Sequence, residues 1–330
     1  MMHRMLYQPD PYIGYRFVSG IKARLEHESG GFLLKTNKAG FRSKHEFKHE
    51  KAVGLKRILV FGDSHTAGDG VSDKYRYTDV LESLIPGLEV YNFGMPGTGT
   101  DQQYLIWQKY ARDIDCDLIF IGVQVGNINR IVSKYRKYID NRGEETFIEK
   151  PYYILNKINS LELTNVPINT DNFMKDIISD SDSKLLEKVD NFSLVRGLLN
   201  KIPSNLKNFT KSISGYQAYK SYDKEKNYSW RLMEAILKEW TAQIKVPIII
   251  SPLPTFEYYE KISSPSNYQK RFNSLSNPPT IHIHDPLPDF LKLSRKARRS
   301  LRFETDTHYT KKAHKILAKS LLMTIKDLLI

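Results

Sequence analysis

Three clusters in this sequence carry residue types that could act together chemically. The first is Gly62-Asp63-Ser64-His65, directly after the apolar run Ile58-Leu59-Val60-Phe61. The second is Asp306-Thr307-His308-Tyr309-Thr310, ahead of the last helical pattern. The third joins Asn92-Phe93-Gly94 to Gly126-Asn127-Ile128-Asn129. A serine hydroxyl is a weak nucleophile at neutral pH. It needs a base within hydrogen-bond reach, a group that orients the base, and donors for the oxyanion that forms. Ser64 is the candidate nucleophile. His308, one of nine histidines, is the candidate base, and Asp306, two residues earlier, is its candidate partner. The chain order is Ser, Asp, His, one of the orders in which such triads occur. The candidate oxyanion donors are the backbone N–H of Ser64, the backbone N–H of Gly94 and the side-chain amide of Asn127, with Asn129 competing for the last role. Read locally, Asp306–Thr310 also fits a plain helix-capping loop and Asn127 an ordinary turn asparagine.

Other chemistry-bearing residues read differently. His65 adjoins the nucleophile, and adjacent side chains point apart, so it is expected to line the pocket or serve structure. Asp63 is expected to hydrogen-bond its own loop. His282 and His284 alternate with Ile281 and Ile283 beside Asp285, but a third ligand is missing from the pattern, so no metal is expected. No cofactor is expected either. His314, on the last helix, is expected at the surface or as a cap. The single cysteine, Cys116, precedes an apolar run and reads as a small structural residue.

These side chains must be held by a scaffold, and the sequence suggests one. Strands are expected at 57–62, at Leu88–Asn92, at Leu118–Val125, at Val246–Ile250 and at Ile281–His284. Helices are expected at 75–85, across an amphipathic Thr100–Arg112, along the apolar face Trp230, Met233, Leu237, Trp240 and Ile244, and over Lys311–Leu329. Tyr258–Phe272 is helical in pattern, interrupted or restarted at Pro265. Apolar strands that alternate with helices imply a parallel sheet covered on both faces. In such sheets a site lies beyond the carboxyl ends of the strands.

The remainder is less regular. Residues 1–50 read as an N-terminal extension with short strands within Tyr12–Val18 and Phe32–Thr36, and no catalytic group stands out in it. Residues 130–226 read as an insertion without clear period that packs over the sheet edge or the site mouth. Within it a short helix is expected at Asn191–Ile202, and Lys207–Lys226 is expected to be mobile. The chain is read as a single domain.

The chain has 330 residues, of which 40% are hydrophobic and 26% charged, enough for one sizeable core. One cysteine excludes an internal disulfide framework and suits a reducing compartment. Met1–Pro9 lacks an apolar core of the signal-peptide kind, and no apolar run nears the ~20 residues of a spanning helix. A cytoplasmic location without stable membrane insertion is therefore expected. The formal charge of +13 suits a basic solvated surface or an anionic substrate or acyl donor. The lysines are spread and no zinc or RNA-binding signature is present, so a nucleic-acid partner is not expected.

Taken together, Gly62-Asp63-Ser64, Asn92-Phe93-Gly94, Gly126-Asn127 and Asp306 with His308 resemble, in order, the four blocks of the SGNH hydrolases, the GDSL-type esterase and lipase superfamily. The resemblance covers most of the chain, and Asn37–Arg42 is similar to a lead-in found in many bacterial members. It implies a flavodoxin-like three-layer α/β/α sandwich around a central parallel sheet. It also implies ester chemistry through an acyl-enzyme, on a small-molecule or glycan ester. Two positions depart from the family pattern. Ile128 stands where the family often has Asp, and Asp306 lies two residues before the histidine where three is common. The second spacing is similar to that of sugar O-acetyltransferases and related esterases of bacterial polysaccharide pathways. The expected function is hydrolysis of an O-acyl group, an O-acetyl ester of a sugar or glycan foremost. A sugar O-acyltransferase on the same triad is the alternative, and a non-catalytic glycan-binding protein the third reading. The acyl chain, the alcohol and the oligomeric state are not legible.

Overall fold

The computed structural model describes residues 6–139, 145–169 and 216–329. Two antiparallel hairpins come first, β1 (Tyr7–Asp10) with β2 (Gly14–Phe17), and β3 (Lys22–Leu25) with β4 (Phe32–Lys35). β5 (Lys56–Gly62) then opens the main sheet, followed by β6 (Leu88–Asn92) and β7 (Leu118–Gln124). Two further hairpins, β8 (Tyr135–Ile139) with β9 (Glu145–Glu149) and β10 (Tyr152–Leu155) with β11 (Leu161–Thr164), lie in the stretch after β7. β12 (Ile248–Leu253) and β13 (Ile281–Ile283) complete the main sheet.

The main sheet has five parallel strands in the order β13-β12-β7-β5-β6. Its central strands show no alternation. Ile58, Leu59, Val60 and Phe61 are buried, as are Leu118 to Val123 and Ile248 to Leu253. A strand covered on both faces has no side that must face water, so nearly every position is apolar or small. The chain moves from β5 to one edge at β6, then crosses back to β7 on the other side of β5. Right-handed crossovers in opposite directions put their helices on opposite faces. Helix Tyr77–Leu84 packs with helix Lys311–Leu329, and helix Thr100–Ile106 packs with helix Tyr228–Ala242. The result is a three-layer α/β/α sandwich. The reversal of direction between β5 and β7 leaves a crevice beyond their carboxyl ends.

Several local expectations need correction. Thr100–Arg112 is not amphipathic in its surroundings. Every residue from Thr100 to Trp107 is buried, and Trp107–Ala111 widens to a π-helix. The polar side of that helix is covered by the segment after β9 and by the turn between β1 and β2. Lys150, buried after β9, forms an ion pair with the buried Asp101, and Gln102 Nε2 donates to the Ile13 carbonyl at 2.8 Å. The aperiodic stretch after residue 130 contains the two hairpins just described, whose four- and five-residue strands are too short to set up a clear period. The helix expected at Asn191–Ile202 lies outside the described residues. Of the segment expected to be mobile, the described part is anchored, because Tyr222 is fully buried and its hydroxyl donates to the Val125 carbonyl at 2.8 Å. Pro265 separates two helices, Phe256–Tyr259 and Ser266–Asn273. No helix among the described residues is long and apolar enough to cross a membrane.

Candidate active site

β5 delivers Ser64 to the crevice. The strand ends at Gly62, which pairs with Gly122 of β7. A β-carbon on Gly62 would stand 2.1 Å from Thr66 Oγ1, so only glycine lets the chain fold straight from strand into turn here. Asp63 caps the short helix Ser64–Ala67 by accepting from the His65 N–H at 3.0 Å. Ser64 thus begins that helix, with its own N–H pointing out of the helix start. It is 4% exposed.

The loop behind the serine is held by Arg42, from the Asn37–Arg42 stretch. Its guanidinium is fully buried and donates to the carbonyls of Ala67 (3.1 Å), Gly68 (2.6 Å), Leu33 (3.0 Å) and Val71 (2.6 Å), and to Asp73 (2.9 Å). Burial brings its pKa down to about 10, still charged at any physiological pH. Asp63 is also buried and charged. Burial opposes its ionisation, but the His65 side chain and Arg130 hold its carboxyl below the usual range, with Arg130 Nη1 at 2.8 Å.

His308 arrives from the far end of the sequence. Its Nε2 lies 2.6 Å from Ser64 Oγ, across 244 residues of chain. Its Nδ1 is hydrogen-bonded to Asp306 Oδ1, which also accepts the His308 backbone N–H at 3.0 Å. Burial works to discharge the imidazole, but Asp306 and the carboxylate of Asp69 overcome it, so the His308 pKa lies above its ordinary 6.5. Asp306 is shifted the other way. Burial is outweighed by the bonds to His308 and to His27, and its carboxyl sits well below the usual range. The following residue fixes the loop, because the Tyr309 hydroxyl donates to the Pro254 carbonyl at 2.6 Å at the end of β12.

The three expected oxyanion donors differ. Asn127 starts the short helix after β7 and is fully buried, and neither atom of its side-chain amide has a hydrogen-bond partner. A buried amide left unpaired costs about 1–3 kcal/mol, which a protein tolerates where a ligand completes the bond. Asn129, its competitor, is exposed. The Gly94 N–H donates to Asn92 Oδ1 at 2.8 Å, so that donor is already engaged within the protein. Asn92 also donates through Nδ2 to the Thr66 carbonyl (2.8 Å) and to Thr78 Oγ1 (3.0 Å), which clasps the nucleophile helix to the end of β6.

The remaining histidines separate from this group. His65 is buried, 5.0 Å from the His308 ring and 4.6 Å from the Tyr309 ring by centroid. His314 is neither surface nor cap. It is fully buried, and its Nδ1 accepts the Tyr77 N–H at 3.3 Å. Burial drives its pKa well below 6.5. It shares the buried stripe of the last helix with Leu317, Leu321 and Ile325. His282 and His284 take separate partners, the Pro279 carbonyl (2.8 Å) and Ser320 Oγ (2.9 Å). Among the described residues no group of three or more His, Cys, Asp or Glu side chains is placed to hold a metal. Cys116 is half-buried, and burial pushes its thiol up to about 12, far from a reactive thiolate.

Residues that the sequence reading did not single out also reach the site. They are Arg130, Asp69 and the pair His27 and Glu28, the last two from the turn between β3 and β4. His27 Nε2 lies 3.0 Å from Asp306 Oδ2.

No family model matches the chain, and no curated protein is similar to it. Among solved structures, it is similar to a member of the lipolytic G-D-S-L family from Veillonella parvula. That match has 12% identity and a TM-score of 0.45, and covers 83% of this chain and 100% of the other. A lipase/acylhydrolase from Enterococcus faecalis shares 12% identity at a TM-score of 0.41, over 83% of this chain and 96% of its own. A carbohydrate acetylesterase family member from Sinorhizobium meliloti shares 11% identity at a TM-score of 0.35, over 83% and 99%.

Proposed function

We propose that this protein is a serine ester hydrolase that removes an O-acyl group, acetyl foremost, from a sugar or glycan alcohol. The observation that carries the reading is the 2.6 Å contact between Ser64 Oγ and His308 Nε2, with the other ring nitrogen on Asp306. In this reading His308 Nε2 takes the Ser64 proton as Oγ attacks the ester carbonyl. Asp306 keeps the Nδ1 proton in place and stabilises the imidazolium. The oxyanion draws on the Ser64 N–H and the unpaired Asn127 amide, and the Gly94 N–H shares in this only by loosening its bond to Asn92. The tetrahedral species collapses, the C–O bond to the alcohol breaks, and His308 returns the proton to the leaving oxygen. Water then attacks the carbonyl of the Ser64 ester as His308 takes its proton, the bond from the acyl carbon to Oγ breaks, and His308 returns the proton to Ser64, releasing the free acid.

The test is a panel of aryl esters and acetylated sugars turned over by the wild-type chain and by Ser64→Ala. Release of free acid by the wild type, lost in Ser64→Ala with the fold intact, supports the reading. Equal turnover by the two proteins refutes it. Ester formed on an added sugar instead of free acid would assign the same residues to acyl transfer.

A further inference from the structure

We propose that His27 and Glu28, on the turn between β3 and β4, are positioning residues that hold Asp306 in line with His308. The proposal rests on the catalytic reading above. Asp306 lies on a loop secured by little regular structure, the single bridge between Arg302 and Tyr309. A carboxylate on such a loop is free to rotate away from the imidazole it serves. Here Oδ1 faces His308 and Oδ2 faces His27 Nε2, so both oxygens are held.

The direction of the His27 bond follows from its partner. His27 Nδ1 faces the Ser29 backbone N–H at 3.1 Å and Ser29 Oγ at 2.9 Å, while Nε2 faces an ionised carboxylate, which only accepts, so Nε2 carries a proton. His27 therefore donates to Asp306. The ring itself is clamped. It meets Phe303 edge-on at 4.5 Å and Phe32 at 5.8 Å, and a β-carbon on Gly70 would stand 2.9 Å from its Cε1. Ser29 Oγ donates to the Gly70 carbonyl at 3.0 Å, which ties this turn to the loop behind Ser64.

Glu28 secures the backbone. Its carboxylate accepts three successive amides, Glu304 at 2.9 Å, Thr305 at 3.1 Å and Asp306 at 2.7 Å, and the Thr305 hydroxyl at 2.8 Å. The Asp306 amide foremost among them holds the Glu28 pKa down at about 2. One turn thus fixes both the side chain and the main chain of the triad's acid. A mere tether between these two segments would not need a donor aimed at Oδ2.

The test compares wild type, His27→Ala, His27→Gln and Glu28→Gln in the full chain, with an aryl acetate as substrate. Glutamine carries an amide N–H at about the reach of imidazole Nε2. His27→Ala is expected to lower kcat by about ten- to a hundredfold with KM within about twofold, since a displaced catalytic group costs rate more than binding. His27→Gln should recover most of that loss, and Glu28→Gln should show a smaller fall in kcat. The low-field proton NMR signal of His308 Nδ1–H should broaden or move upfield in His27→Ala and persist in His27→Gln. Unchanged kcat and signal in His27→Ala would overturn the proposal, as would equal impairment of the Ala and Gln variants. Should His27→Ala fail to fold, His27→Asn, whose amide is too short to reach, replaces it in the comparison with Gln. The same signal can be followed in the Ser64→Ala background. Failure of the catalytic reading is therefore told apart from failure of this one.

Discussion

A β-carbon on Gly94 would lie 2.5 Å from the backbone nitrogen of Ala67. The end of β6 and the helix that begins at Ser64 are in backbone contact there, and Asn92 bridges the same two segments. Neither side can yield without moving the nucleophile. Gly94→Ala is therefore expected to lower stability by about 1–3 kcal/mol through overpacking and to cut esterase activity in the protein that remains folded. Chemical denaturation and initial rates on one preparation check both.

Asn127 separates function from stability in the opposite sense. Its buried amide has no partner in the free protein. Asn127→Ala is expected to lower kcat by about 10²–10³-fold, the usual loss for an oxyanion donor, with little change in KM. Thermal stability should hold or rise, because an unpaired polar group is removed from the interior. A fall in melting temperature together with unchanged kcat would assign Asn127 to structure.

The charge around His308 sets a pH dependence whose sign can be worked out. Burial alone would lower its pKa, and Asp306 and Asp69 raise it above 6.5. The base must be neutral to act. kcat/KM should therefore rise with pH through an apparent pKa above 6.5 and level off beyond it. The stabilisation that accompanies the raised pKa runs the other way. It is fully present below 6.5 and lost as pH climbs through the folded-state value. Asp69→Asn removes one of the negative charges, so the acid limb of the rate profile should move to lower pH. An unmoved limb would show that Asp69 does not act on His308.

Arg42 makes a prediction about folding. It is buried with five acceptors around one guanidinium. Removing the cation strands four carbonyls and Asp73, so Arg42→Ala should cost about 3–5 kcal/mol in denaturant unfolding. Arg42→Lys should rescue little, since an ammonium cannot span a planar fork of acceptors.

The sequence displayed the parallel sheet because its strands are buried on both faces. Ile58–Phe61, Leu118–Val123 and Ile248–Ile250 leave no polar position to blur the pattern. The last helix was legible over Lys311–Leu329 for the opposite reason, a solvated face beside a buried one. The expectation that Ser64 meets His308 comes from the residue types and their chain order, Ser then Asp then His. What the sequence hid was long-range. His-Glu-Ser-Gly-Gly at 27–31 reads locally as a polar turn, and only a contact across 279 residues brings His27 to Asp306. Gly68-Asp69-Gly70 likewise reads as a loop, with nothing local to link its carboxylate to His308. His314 was misplaced because a polar type outweighed a position that falls on the buried stripe.

The central claim is that Ser64 Oγ is the atom acylated. The most direct measurement is peptide mapping by mass spectrometry after reaction with a fluorophosphonate probe. The account predicts one adduct per chain, on the peptide containing Ser64, absent in Ser64→Ala and strongly slowed in His308→Ala. A modified residue elsewhere, or no adduct in folded protein that turns over ester, would contradict it.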